Sequence, residues 1–497
     1  MQYFREDLRS RSPCAPVTGQ VVASASPPIY FSIGVHVDHR LCRVTCDYYR
    51  PSPFGKLPVE VVREIFWFTC GTGILAPCQR TREPPRRTLQ FVCKSWRQIV
   101  VNSASLWNDL DLRIVGHEPY DSGVSLAVIG AWLHRARSWL RYAGSSALSL
   151  QLLIAWCDEV AEARRRIFSF LSIYKFKQLA VISLFPPILD LDASLDAALS
   201  CVETLALTTP TWLALPIQLQ LFTHRFRFSA LKSLELAVDV GFTYKYLLSA
   251  FPWHQLDRLV LGTVRRSDLL GGLLRQCKSL VDCTIYIEQG NTFFIPLQDI
   301  ILPQLHRLTI ISDIVGPITD AILHSIIVPS LESLSISGES RSSSPLTLYE
   351  VEAMASRSGF GDRLQKLVLR NLCEPVDLGR LLRFMPSLNI AKISGTINDE
   401  DMLHIADGSL GPGLAHISLA GCDLKLDALL DMVEQRQINA SKEGSMIVSL
   451  ITASFLLHQY QTGRLTDEHY ERAANLEDEF NFEIGFGEES DESAWWI

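Results

Sequence analysis

Between residues 179 and 455 the chain repeats one pattern of apolar and polar positions. The triplet apolar-x-x-apolar-x-apolar begins at Leu179, Val202, Leu231, Leu256, Leu280, Leu305, Leu331, Leu364, Leu388 and Leu414. Six of the nine gaps between these starts lie between 24 and 26 residues. In a strand, alternate side chains share a face, so the fourth and sixth positions of each triplet point the same way. Runs with helical spacing precede many triplets, as at 246–251, 269–276 and 378–385. A turn follows, marked by Pro303, Pro329 or Pro386 just ahead of the leucine. One strand and one helix per step predicts an α/β solenoid in which each repeat covers its neighbour's apolar face. Only the last repeat has a ladder-type residue at the ninth position, Cys422, so the array is expected to be irregular. The longest gap, from Leu331 to Leu364, holds a serine-rich stretch that reads as a loop open to phosphorylation.

Ahead of the repeats, residues 56–107 carry a second pattern. Pro58 sits where a first helical turn tolerates proline. From it, Val61, Val62, Ile65, Phe66 and Phe68 fall on one side and Glu60, Arg63 and Glu64 on the other. A second helix is predicted from Thr88 as N-cap, with Leu89, Val92, Cys93, Trp96, Ile99 and Val100 at helical spacing. Leu106 and Trp107 close the unit. Two short helices and an aromatic make a small core, so docking on a partner is expected. Between the helices, 71–87 is rich in Pro, Gly and Arg and reads as a solvated basic loop. After Trp107 come a strand at Leu110, Leu112 and Ile114, a helix from Ser125 to Gly144, a strand at Leu148, Leu150 and Leu152, and a helix carrying 164–166.

The blocks Leu57, Pro58, Glu60, Ile65, Phe66, then Val92, Cys93, Trp96, Arg97, then Leu106, Trp107 occur in the order and internal spacing of the F-box. The segment resembles its form in proteins of mushroom-forming fungi, with a longer loop at 71–87. The repeats resemble the Pro-x-Leu-x-x-Leu-x-Leu region of the same family. What this implies is an α/β chain, with a small helical F-box module followed by an irregular leucine-rich-repeat solenoid. Its divisions would be a flexible arm at 1–50, the F-box at 51–115, connecting helices and a first solenoid strand at 116–178, repeats at 179–455 and an acidic tail at 456–497. The implied function is substrate recognition in a Skp/cullin/F-box ubiquitin ligase, in the cytoplasm or nucleus. The chain would be a single copy in that complex and would catalyse nothing itself. Leu57, Pro58, Val61, Ile65, Phe66, Val92, Trp96 and Trp107 would meet the Skp-type adaptor, and through it a cullin. The alternative is a repeat scaffold for protein–protein contacts with no ligase role.

Charge refines this picture. The net charge is −8, and from 466 to 497 there are 11 acidic residues against Arg472, a balance of −10. The other 465 residues therefore carry −8 + 10 = +2, which does not suggest a nucleic-acid partner. No apolar run is long enough to span a bilayer, and charges at Arg5, Glu6, Asp7 and Arg9 interrupt any leader. Twelve cysteines without a CxxC pair favour buried thiols in a reducing compartment. His36, His39, Cys42 and Cys46 invite a zinc reading, but the run is continuous, and Ile33, Val35 and Val37 alternate as in a strand. No metal or other cofactor is expected. There is no P-loop, GxSxG elbow or HExxH helix, so no catalytic residue is assigned.

If positions four and six face the core, positions three and five face the concave side. Position three runs from Val181 and Thr204 through Arg258, Asp282, Arg307 and Lys366 to His416, and position five adds Glu235 and Lys392. The second half of that side is mildly basic, with Arg258, Arg307, Lys366 and Lys392 against Asp282, which would favour an acidic or phosphorylated substrate segment over a basic one.

Overall fold

The computed structural model describes residues 56–70, 73–75, 85–114, 124–154, 159–183, 195–208, 228–237, 248, 251–264, 267–288, 299–314, 317–340, 348–370, 375–420, 425–457 and 465–488. The expected arm at 1–50, with its His/Cys run, and the end from 489 lie outside these residues. The chain divides into two compact units, Met1–Leu57 and Pro58–Ile497. The second contains all the helices and strands described below.

Its sheet follows chain order. The strands are β1 (Gly73–Leu75), β2 (Asp109–Ile114), β3 (Leu148–Ile154), β4 (Phe176–Ser183), β5 (Thr204–Thr208), β6 (Ser233–Ala237), β7 (Arg258–Val264), β8 (Asp282–Ile287), β9 (Ile300–Ile301), β10 (Arg307–Ile314), β11 (Ile326–Ile327), β12 (Ser333–Ser340), β13 (Lys366–Arg370), β14 (Val376–Asp377), β15 (Ile390–Thr396), β16 (His416–Ala420), β17 (Thr452–Leu457) and β18 (Glu483–Glu488). Sixteen of them form one open sheet, and β9 and β11 form a separate pair. Every pairing from β1 through β18 is parallel. Each strand therefore pairs with the next long strand in sequence, and helices fill many of the crossovers. These include α1 (Val59–Cys70), α2 (Pro85–Val92), α3 (Lys94–Asn102), α4 (Leu126–Leu140), α5 (Val160–Leu171), α6 (Asp196–Leu199), α7 (Ser267–Leu274), α8 (Pro317–Ser325), α9 (Leu348–Ser358), α10 (Leu378–Phe384), α11 (Asp399–Ala406), α12 (Leu426–Ala440) and α13 (Asp467–Phe480). The result is a mixed α/β, solenoid-like architecture.

One row of side chains crosses the sheet in register. Leu110, Leu150, Leu179, Leu205, Leu234, Leu259, Cys283, Leu308, Leu334, Leu367, Ala391, Ile417, Ala453 and Ile484 are successive partners. All are buried. A parallel row, including Leu207, Leu236, Ile285, Ile310, Ile336, Leu369 and Leu419, is buried beside it. Both rows join the helices in one apolar core, so the sheet's other face is the open one.

The register corrects the frame of the first repeat. Leu179 pairs with Leu205, a fourth position, so this repeat starts at Phe176 rather than Leu179. A shift of three residues exchanges the faces of the strand. Val181 accordingly lies in the core at 5% exposure instead of on the concave side. The sheet also runs beyond 179–455 at both ends. Strands β1 to β3 precede this range, and β18 pairs with β17 inside what was expected to be an acidic tail.

The turns before the strands satisfy their backbone groups by bonds within and between repeats. The N–H groups of Leu305, Leu331 and Leu388 donate to the carbonyls of Leu302, Val328 and Met385, three residues back. Pro303, Pro329 and Pro386 thus occupy the second turn position, where a fixed φ is an advantage. Between repeats, the carbonyl at position two accepts twice. Glu332 receives Gln365 N–H at 2.8 Å and Lys366 N–H at 3.0 Å, and Gln365 receives the N–H groups of Asn389 and Ile390. Ser330 and Ser387 reach back by their hydroxyls to the carbonyls of Pro303 and Asp362.

Candidate functional site

Two surfaces carry the residues singled out by the sequence. The first is built on α1 to α3. In α1 the apolar residues divide into two stripes. Val62, Phe66 and Cys70 turn inward and are buried. Val61, Ile65 and Phe68, at i, i+4 and i+7, turn outward and are 42%, 37% and 76% exposed. Val59 and Trp67 are also exposed, as are Phe91 and Val92 at the end of α2.

The expected second helix is broken. It starts at Pro85, before Thr88, and stops at Val92, because Cys93 is extended (φ −159, ψ 170). Cys93 Sγ then accepts Trp96 N–H at 3.4 Å and caps α3. The apolar stripe read across 89–100 continues through this break in sequence but not in backbone. Part of the predicted loop at 71–87 is also ordered, since β1 pairs with β2.

Phe66 is 1% exposed and meets Trp96 edge-on at 4.8 Å. Trp107 is buried, donates from Nε1 to Val100 O at 2.8 Å and packs edge-on against Trp139. Trp139 in turn donates to Trp107 O at 3.1 Å, and the buried Arg86 guanidinium lies over the Trp139 ring at 5.1 Å. Desolvation pushes the Cys70 thiol up in pKa. Phe66 and Trp107 therefore cannot touch a partner directly, and their place is in the support of the exposed stripe. Pro58, Val61, Ile65 and Val92 are exposed and Trp96 is half-buried. Leu57, which falls in the first unit, is 40% exposed.

The second surface is the open face of the sheet. Ser233, Arg258, Asp282, Arg307, Ser333, Lys366, Ile390 and His416 are register partners in one row. This brings the four cations of the sequence reading onto one face, but it separates them into two pairs. Asp282 lies between the first two, 3.0 Å from Arg307 and 3.9 Å from Arg258, and offsets their charge. Lys366 and Lys392 are on adjacent strands further along, with Arg370 and His416 beside them, two residues the sequence reading did not assign to the site. Lys392 loses basicity through desolvation first and then through the nearby charges of Lys366 and Arg370. His416 is lowered by desolvation and by Lys392, and its Nδ1 lies 2.9 Å from the Thr452 hydroxyl.

Cys277 and Cys283 are buried, as small core residues should be, with Cys277 pushed up to about 12. Among the described residues no group of His, Cys, Asp or Glu could hold a metal ion. No helix among them is long and apolar enough to cross a membrane. The chain matches no model of a known protein family and no curated protein.

Proposed function

We propose that this protein is the substrate-recognition subunit of a Skp/cullin/F-box-type ubiquitin ligase. In this reading α1 to α3 form an F-box-like module that docks on the adaptor, and the leucine-rich repeats hold a substrate protein. The chain brings the substrate to the ligase by raising its local concentration and performs no chemistry. The observation that carries the proposal is the outward stripe of Val61, Ile65 and Phe68, with Phe91 and Val92 exposed on α2, which packs against α1. Exposed apolar residues of this size, set on a helix whose other apolar stripe already fills the core, suit a helical partner. Support also comes from the order of the three sequence blocks, which an arbitrary helical hairpin has no reason to keep. Phe66, Trp96 and Trp107 hold the outward stripe in place from beneath.

The test is a calorimetric titration of the full chain with purified Skp-type adaptor. Wild type should bind, and Ile65→Glu/Phe68→Glu should weaken binding about a hundredfold, since apolar anchors dominate such interfaces. Both substituted positions are exposed, so the circular dichroism spectrum should not change. No binding by wild type, or equal binding by the variant, contradicts the proposal.

A further inference from the structure

The strongest unassigned feature is centred on Lys392. On one side its strand neighbour β13 places Val368 in register with it, so Lys366 and Arg370 flank it diagonally, two residues to either side. On the other side Ser418 is its direct partner, and His416 is the diagonal neighbour. Diagonal neighbours of this kind lie about 7–8 Å apart, within reach of long side chains. Three cations and a histidine thus converge across three strands, a width of about 10 Å.

Two further observations favour an anionic occupant. Residues 366–370, 390–394, 416–420 and 452–456, which cross this region, contain no Asp or Glu. On the other strands, Glu339 near the end of β12 lies two residues past Ser337, the partner of Arg370, while Glu235 on β6, Asp282 on β8 and Glu483 on β18 lie outside the site. In addition, Ser418 is 4% exposed and its hydroxyl makes no hydrogen bond among the described residues. A buried hydroxyl without a partner is costly unless something supplies one, and here it stands next to Lys392. Ser333, Ser335, Ser337, Ser394 and Ser454 surround the cations with further donors.

We infer that the open face around Lys392, formed by Lys366, Arg370, Lys392, His416 and Ser418, binds a carboxylate-rich acidic segment of the substrate protein. The inference rests on the substrate-receptor reading and names its recognition chemistry. A peptide fits better than a nucleic acid. The cationic island ends at acidic residues on both sides, and no Phe, Tyr or Trp stands at positions three, five or seven of its strands to stack a base. Arg258 and Arg307 lie outside the site, on β7 and β10 to either side of Asp282.

Fluorescence anisotropy with the full chain tests this, using a labelled peptide of alternating Glu and Ser and a control with Gln for Glu. The Glu peptide should bind and the Gln peptide should not. Lys366→Glu/Lys392→Glu should lower affinity at least about tenfold, while Arg258→Gln/Arg307→Gln should change it less than about twofold. Raising salt from roughly 50 to roughly 300 mM should weaken binding. No binding of the Glu peptide, an equal loss in both double variants, or binding only when the serines are phosphorylated would overturn the inference. The adaptor titration, run on the same proteins, separates the two proposals. Intact adaptor binding without peptide binding removes only this site, and the reverse removes only the ligase reading.

Discussion

Arg436 is fully buried, with its Nη atoms donating to the carbonyls of Ile405, Gly411, Pro412 and Leu414 at 2.7–3.1 Å. Desolvation lowers it to about 10, so it stays charged at neutral pH. One guanidinium thus satisfies the turn that leads into β16. Arg436→Met keeps the volume and removes the donors, leaving buried carbonyls unpaired. Urea unfolding should show a loss of about 3 kcal/mol, and a loss below about 0.5 kcal/mol would rule out this role. His416 gives a second prediction at this scale. Its folded-state pKa lies below the ordinary 6.5, through desolvation and then Lys392. Its described neighbouring strands add no acid at 390–394 or 452–456. Below pH 6.5 the unfolded chain takes up a proton that the folded chain resists, so stability falls as pH drops from 7 toward 5. His416→Gln should flatten part of that slope in thermal melts at pH 7, 6 and 5. An unchanged slope would place the histidine in an ordinary solvated setting.

At the scale of elements, burial alternates along each strand, and mutational cost should alternate with it. Leu334 is fully buried in the main row, whereas Ser335 beside it faces the open side. Leu334→Ala should cost about 3 kcal/mol, and Ser335→Ala should stay within about 0.5 kcal/mol. Comparable costs in chemical denaturation would contradict the assignment of faces. This alternation was legible in the sequence from β5 to β16, because leucines at fixed spacing recur there. It failed at the first repeat, where Phe176-x-x-Leu179 and Leu179-x-x-Ile182 fit the same template, and only neighbouring strands select between them. The ends escaped notice for different reasons. Strand β1 is three residues long inside a Pro- and Arg-rich stretch. Strand β18 reads EIGFGE, whose glycines and acids mask its apolar alternation. The stop at Cys93 depends on one backbone conformation within a stripe that never loses its helical spacing. On the open face, the basic positions were readable from the repeat frame. Their division by Asp282 requires knowing that β7, β8 and β10 are neighbours, and so does the place of Arg370 and His416 beside Lys392.

At the scale of the molecule, the unit from Pro58 onward has one continuous core running beneath the whole sheet. The C-terminal helix α13 belongs to it. Arg472 bonds Asp431 at 2.5 Å and Glu434 at 2.6 Å on α12, and β18 completes the sheet edge. Each repeat hides the apolar face of the one before, so no repeat should stand alone. A protease site inserted within 341–347 and then cut should leave two fragments that co-elute in native chromatography and separate only in denaturant. Fragments that part under native conditions would contradict the single core.

The proposed function divides between two surfaces of one molecule, one for an adaptor and one for a substrate. Reconstitution of the full chain with purified Skp-type adaptor and cullin, followed by analytical ultracentrifugation, tests whether the three chains assemble. A complex with one copy of each chain is expected, lost in Ile65→Glu/Phe68→Glu and kept in Lys366→Glu/Lys392→Glu. Sedimentation of the wild-type chain apart from adaptor and cullin, or assembly unaffected by the Ile65/Phe68 change, would contradict it.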